Sequence, residues 1–191
     1  MDFCQVYFSF KILLIINNIP HIYFRRLNGM DLESWEKLRK IQGIANYQFG
    51  ENIGDLLFPS EVVITCSPST KRIRHVYLND ELLATLRPKD GLFALTISGA
   101  QQILEKTRGD IRFKVQVNDE SIPFVRKGRN VFAKHVIYTS PEVRPKSEVI
   151  VVDRLDNLLA VGKSVLSGNE MFAFQRGVAV KVRRGIDEKT T

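Results

Sequence analysis

Residues 178 to 185 read VAVKVRRG. In a half-buried strand successive side chains point to opposite faces, so Val178, Val180 and Val182 share an apolar face. Lys181 and Arg183 fall on the other, with Arg184 beside them. Cations on a strand hold anions; they do no covalent chemistry. A second basic stretch, Arg126, Lys127, Gly128, Arg129 and Asn130, follows a short helical pattern. A glycine just past a helix offers backbone N–H groups and room for a phosphate or a terminal nucleotide to come close. Arg126 and Lys127 at a helix C-terminus also complement the helix dipole, so both jobs are open to them. Lys134 alternates with Phe132 and is expected to face outward. Lys71, Arg72 and Arg74 form a smaller cluster, for which a second RNA contact and a solvated hairpin are equally good readings.

The charge balance agrees with an anionic partner. The net charge is +7, and residues 108 to 191 hold 16 Lys and Arg against 10 Asp and Glu, whereas residues 1 to 107 hold 12 against 11. A basic half beside a neutral one suggests nucleic acid, with a solvated basic surface as the plainer reading. Other chemistries find little support. Cys4 and Cys66 cannot form a disulfide framework or a four-cysteine zinc site, and His21, His75 and His135 lack metal-ligand spacing. No catalytic residue, metal or cofactor is assigned. Asp90, Asp119 and Glu170 are the available carboxylates, but each has a turn or capping role and no partner motif.

The elements that must carry these cations change character along the chain. Asp31 is a plausible N-cap for an amphipathic helix bearing Leu32, Trp35, Leu38 and Ile41 and ending near Gly43. Ile53 to Phe58 adds a helical turn that Pro59 ends. Strands are expected at 61–66, 73–78, 82–86 and 92–96, with Asn79-Asp80 and Pro88-Lys89-Asp90-Gly91 as turns. Ser98 and Gln101 suggest a capping box for a helix reaching Lys106. Thr107 to Asp110 is a credible boundary. Beyond it come a strand at 111–117, a short helix capped by Ser121, and strands at 131–138, 149–152, 158–166 and 178–183. A capping box at Ser167 and Glu170 starts a brief helix through Phe174. Gly162 reads as a bulge or close backbone approach and Gly177 as a turn. Phe132, Met171, Phe172 and Phe174 are expected in the core, with base stacking as the alternative. The fold class is α+β: a small α/β N-terminal part (residues 30–107), then a nearly closed β-barrel (108–186) and a tail (187–191).

The first 29 residues are apolar but interrupted. Ile12 to Ile16 is far short of the roughly 20 residues of a membrane span. Met30 is a candidate start, with residues 1–29 as an upstream extension, and a cytoplasmic, reducing location is expected.

The phrases GRNVFAKHV, RPKSEVIVVD, LLAVGKSVLSGNEM and QRGVAVKVRRG, in this order, resemble the PUA domain at the C-terminus of archaeal tRNA-guanine transglycosylases. NYQFG, LLFP and KRIRHVYLNDELLATLRPKDGLFALTISGA resemble the two small domains before it. The resemblance covers about residues 40 to 186 and lacks the catalytic barrel with its zinc ligands and aspartates. It implies a PUA-type pseudo-barrel whose glycine loop and last strand form an RNA groove. That role falls on Arg126 to Asn130 and Lys181 to Arg184. It further implies a chain with no catalysis of its own that binds tRNA at the acceptor stem and 3′ end for a separate transglycosylase subunit making archaeosine. A general PUA factor in tRNA or rRNA maturation or ribosome assembly is the alternative.

Overall fold

The computed structural model describes residues 31–188. The expected N-terminal extension, and the last three residues of the tail, lie outside them. The chain divides into Met1–Glu36 and Lys37–Thr191, the division falling inside the first helix, α1 (Leu32–Phe49). In the first unit Asp31 caps α1, accepting the Ser34 N–H at 2.8 Å and the Ser34 hydroxyl at 3.1 Å. These bonds hold its carboxyl below the usual range.

In the second unit α1 runs on through Gly43, because Ala45 and Phe49 extend the buried stripe begun by Leu38 and Ile41. The helix therefore ends six residues later than its glycine suggests. Gly50, at φ +112°, turns the chain into α2 (Ile53–Leu57). There follows an antiparallel meander of β1 (Val63–Cys66), β2 (Ile73–Leu78), β3 (Glu81–Leu86) and β4 (Phe93–Leu95). Asn79 and Asp80 both adopt positive φ in the tight turn expected of them, and Gly91 does so in the next. Helix α3 (Ile97–Thr107) covers the meander. Its cap is Thr96, whose hydroxyl accepts the Gly99 N–H at 3.1 Å, rather than a Ser98–Gln101 box. Phe58 and Phe93 meet in the core beneath, with ring centroids 4.9 Å apart and planes tilted by 56°.

The second sheet has six strands: β5 (Lys114–Val117), β6 (Val131–Phe132), β7 (Val136–Thr139), β8 (Glu148–Val152), β9 (Leu158–Ser164) and β10 (Val178–Gly185). Their order is β6-β10-β9-β8-β5-β7, with β5 and β8 parallel and the other pairs antiparallel. The two edges, β6 and β7, are consecutive in sequence. The expected single strand at 131–138 is thus broken by a 3-10 turn, Ala133–His135, that carries the chain from one edge to the other. This nearly closes the sheet around Val115, Val117, Val131, Val149, Val151, Leu159 and Val180. Two short helices, α4 (Ile122–Val125) and α5 (Gly168–Ala173), complete the barrel. Ser167 and Glu170 form the expected capping box of α5, while the Ser121 side chain donates to Asn118 O instead of capping α4. No helix among the described residues is long and apolar enough to cross a membrane.

Candidate nucleic-acid interface

Helix α4 ends because Gly128 takes φ +85°, a left-handed conformation costly for most side chains other than asparagine and aspartate. The reversal folds the Gly128 N–H onto Val125 O (2.9 Å) and the Arg129 N–H onto Phe124 O (3.1 Å). The loop's far end is fixed to the last strand, where Asn130 Oδ1 accepts the Val182 N–H at 3.1 Å. Loop and strand therefore form one surface. Lys127, Arg129 and Asn130 are exposed in the loop, Lys134 on the following turn and Lys181 on β10. Lys181 lies directly across from Lys163 on β9, an opposition of like charges that a sheet built for stability alone disfavours. Among the described residues Lys163 has a partner in Asp90, at 3.8 Å, and Lys181 has no ion pair.

Arg183 is exposed on β10 two residues after Lys181, as strand alternation predicts, but its guanidinium is already engaged. A bulge between Val182 and Arg184 breaks the register with β9, and the Arg183 guanidinium turns to the Glu148 carboxylate. That carboxylate is wholly buried. It accepts both Arg183 Nη groups, the Leu95 N–H at 2.9 Å and Arg87 Nη1 at 3.4 Å, while Arg183 Nη2 also donates to Leu95 O at 2.5 Å. A buried carboxylate needs such partners. Arg183 thus ties β10 and β8 of the barrel to β4 of the meander. Arg184, past the bulge, is half-buried.

Arg126 is also engaged. It grips Asp187 through two bonds, Nε to Oδ2 at 2.6 Å and Nη2 to Oδ1 at 2.9 Å, and its carbonyl accepts the Asp187 N–H at 3.0 Å. The hydrogen bond from Arg126, reinforced by its charge and that of Lys127, holds the Asp187 carboxyl below the usual range. The same bond raises Arg126. Next to it, Glu188 Oε2 accepts the buried Gly185 N–H at 3.0 Å and sits 2.9 Å from where a Cβ on Gly128 would lie. Sequence reasoning missed Glu148, Asp187 and Glu188. Glu148 was discernible as the lone charge opening the apolar run EVIVV; the two tail acids carried no local signal.

Met171 lies in the core as expected. Phe132, Phe172 and Phe174 do not: each is about half exposed. The Ala133 N–H donates to Gly177 O at 3.0 Å and Phe132 pairs with Val178, so the loop from Phe174 to Gly177 runs beside β6. The expected close approach at Gly162 is present, its Cα facing the Lys181 carbonyl, and Gly177 turns at φ +101°. Lys71, Arg72 and Arg74 are exposed at the β1–β2 hairpin, on the other sheet. No group of three or more His, Cys, Asp or Glu suited to a metal occurs among the described residues.

This architecture, a meander with its helices followed by a pseudo-barrel closed through one broken strand, is that of a PUA-domain protein. The PUA family model matches residues 113–186, and the patch-forming domain C2 of tRNA-guanine transglycosylase matches residues 39–110, so the chain carries both domains. Among curated proteins, the tRNA-guanine(15) transglycosylase of Methanothermobacter thermautotrophicus is 43% identical over 150 residues, covering 78% of this chain and 23% of that one. That of Pyrococcus abyssi is 46% identical over 149 residues, covering 78% and 25%. The chain therefore spans about a quarter of the length of these relatives and corresponds to their C-terminal region. Among solved structures, a hypothetical protein of Pyrococcus horikoshii superposes with a TM-score of 0.66 at 21% identity, covering 81% of this chain and 92% of that one. A PUA domain protein of Thermoplasma acidophilum gives 0.56 at 16%, covering 80% and 89%. Both likenesses concern the fold.

Proposed function

We propose that the chain binds tRNA through the Gly128 loop and the outer face of β10, and that it is the non-catalytic RNA-binding part of an archaeosine-forming tRNA-guanine transglycosylase. It grips the acceptor stem and 3′ end and presents the D-arm to a separate catalytic subunit, contributing orientation and no covalent step. The observation that carries this reading is the single surface formed by Lys127, Arg129, Asn130 and Lys181, fastened by the Asn130–Val182 bond. Similarity to the C-terminal quarter of transglycosylases supports the tRNA partner. Contacts of this kind go mainly to phosphate and sugar, so they position the RNA without reading its sequence. The test is guanine exchange by a barrel-type transglycosylase with and without this chain, beside filter binding of tRNA over a range of salt. Stimulated exchange and a steep salt dependence are expected; tRNA binding that ignores salt would overturn the reading.

A second reading, a general RNA-binding factor in tRNA or rRNA maturation or ribosome assembly, has its own support. The same two-part architecture accounts for 92% of the Pyrococcus horikoshii chain, so it can stand without a catalytic barrel. Affinity purification separates the two: a transglycosylase co-purifies under the first, ribosomal particles under the second.

A further inference from the structure

We propose that the place beside Gly128 now filled by the Glu188 carboxylate, on the Gly185 N–H, is an anion site, and that an RNA phosphate binds by taking that carboxylate's place. The proposal rests on the RNA-binding reading above.

The geometry is that of a bound anion. Glu188 Oε2 accepts a backbone N–H, that of Gly185, at 3.0 Å, and its two oxygens lie 2.9 and 3.5 Å from the position a Gly128 Cβ would occupy. Glycine serves differently at the two positions: at Gly185 it lets β10 touch the Arg126 and Gly128 backbone, where a Cβ would strike both, and at Gly128 it leaves the room that Glu188 occupies. The surroundings are cationic. Arg126 holds the neighbouring Asp187 by two bonds, and Lys127 and Arg129 are exposed on the same loop.

The tail thus places two carboxylates against the most basic loop of the barrel, and a phosphate, with its anionic oxygens, can take the place of the Glu188 carboxylate. Gly185 is buried, so the amide that Glu188 serves gains from any acceptor that follows it. The exchange is therefore ligand for ligand. Asp187 is exposed and can turn to water, freeing a fork of N–H donors suited to phosphate. The tail acts as an internal competitor: it neutralises the loop in the free chain and discriminates against anions weaker than phosphate.

Glu188→Gln keeps the side-chain shape and removes the charge. Backbone-amide NMR of wild type and variant, each titrated with inorganic phosphate at low ionic strength, tests the site without RNA. The Gly128 and Gly185 amides of the variant are expected to move at several-fold lower phosphate than those of wild type. Equal midpoints, or no movement in either protein, overturn the proposal. In a parallel tRNA titration the variant should bind several-fold more tightly, and unchanged or weaker binding counts against displacement. Phosphate-driven shifts in a chain that fails to bind tRNA would leave the anion site standing and remove the RNA reading. Should Glu188→Gln not fold, Glu188→Asp withdraws the carboxylate by one methylene and is held to the same expectations.

Discussion

Arg183 and Arg126 each grip a carboxylate, at opposite extremes of burial. Glu148, the partner of Arg183, has a side chain 0% exposed, whereas Asp187, the partner of Arg126, is 46% exposed. Water reaches both groups of the second pair, but in the first it reaches only the arginine. The cluster around the buried carboxylate accordingly joins the meander to the barrel, and losing that carboxylate leaves the Leu95 N–H and Arg183 without their shared acceptor. The exposed pair lies in the basic loop, where bonds exchange freely with water, ions or a polyanion. Two arginines that the sequence places in one basic set thus sit in different settings, one bonded to a buried acid between two sheets and the other to an exposed acid on the loop.

Removing the buried acid gives the largest expected effect. Glu148→Ala leaves the Leu95 N–H without its acceptor and takes the carboxylate from Arg183, while Arg87 keeps Asp90; breaking a buried pair then costs about 3 kcal/mol, the lower end of its range, since Arg183 also keeps partial access to water. For a unit of this size that lowers the melting temperature by roughly 6–12 °C. Calorimetry checks it. Arg183→Ala is expected to fall in the same direction, and a loss of tRNA affinity with an unshifted melt would return Arg183 to the binding surface.

Gly128 comes next, since it lies at the exposed end of the comparison yet has a conformational requirement of its own. Alanine there pays about 1–2 kcal/mol for the left-handed backbone and must also displace Glu188. Urea denaturation should show that loss. Gly128→Asn should recover part of it, because asparagine tolerates this region.

What the sequence disclosed, and what it hid, follows from the range of each signal. The barrel, its turns and the basic loop were legible because strand alternation, Asn79-Asp80, Gly128 and the Ser167–Glu170 box act over a few residues. The fate of Arg183 was not. It stays outward as alternation expects, but its guanidinium is taken by an acid 35 residues earlier, which no local pattern reports. The break at Ala133–His135 was hidden for a similar reason: apolar residues continue on both sides of it, and only barrel closure requires the bend. Phe132, Phe172 and Phe174 look like core residues by type, but they fall at the rim, where no further strand covers them. Pairing of Asp187 with Arg126 spans 61 residues, and no local pattern reports it.

Lys181 sharpens the comparison from the binding side. It faces Lys163 across the ladder and contributes nothing evident to stability, so Lys181→Ala should leave the melting temperature unchanged or slightly raised. Affinity for tRNA should nevertheless fall by a factor of several, with the salt slope flattened by about 0.7–0.9 for one lost phosphate contact. Unaltered affinity in filter binding would detach β10 from the interface.

The smallest expected effect concerns acid. Arg126 holds the Asp187 carboxyl below its ordinary range, so the folded chain keeps this group ionised at a pH where the unfolded chain has begun to protonate it. A depressed folded value contributes stability that is present above the unfolded value, about 3.9, and is lost as pH falls through the folded one. The contribution is therefore constant from pH 7 down to about 5 and declines below that. Asp187→Asn should remove only this segment of the acid limb. Because the pair is exposed, the difference between the two melting profiles should be slight, and it should shrink further in high salt. The Glu148 cluster, whose carboxylate is 0% exposed, should keep more of its contribution over the same salt range. Thermal melts of wild type, Asp187→Asn and Glu148→Ala at low and high salt would separate the two. An equal salt response at both sites would mean that burial is not what distinguishes them.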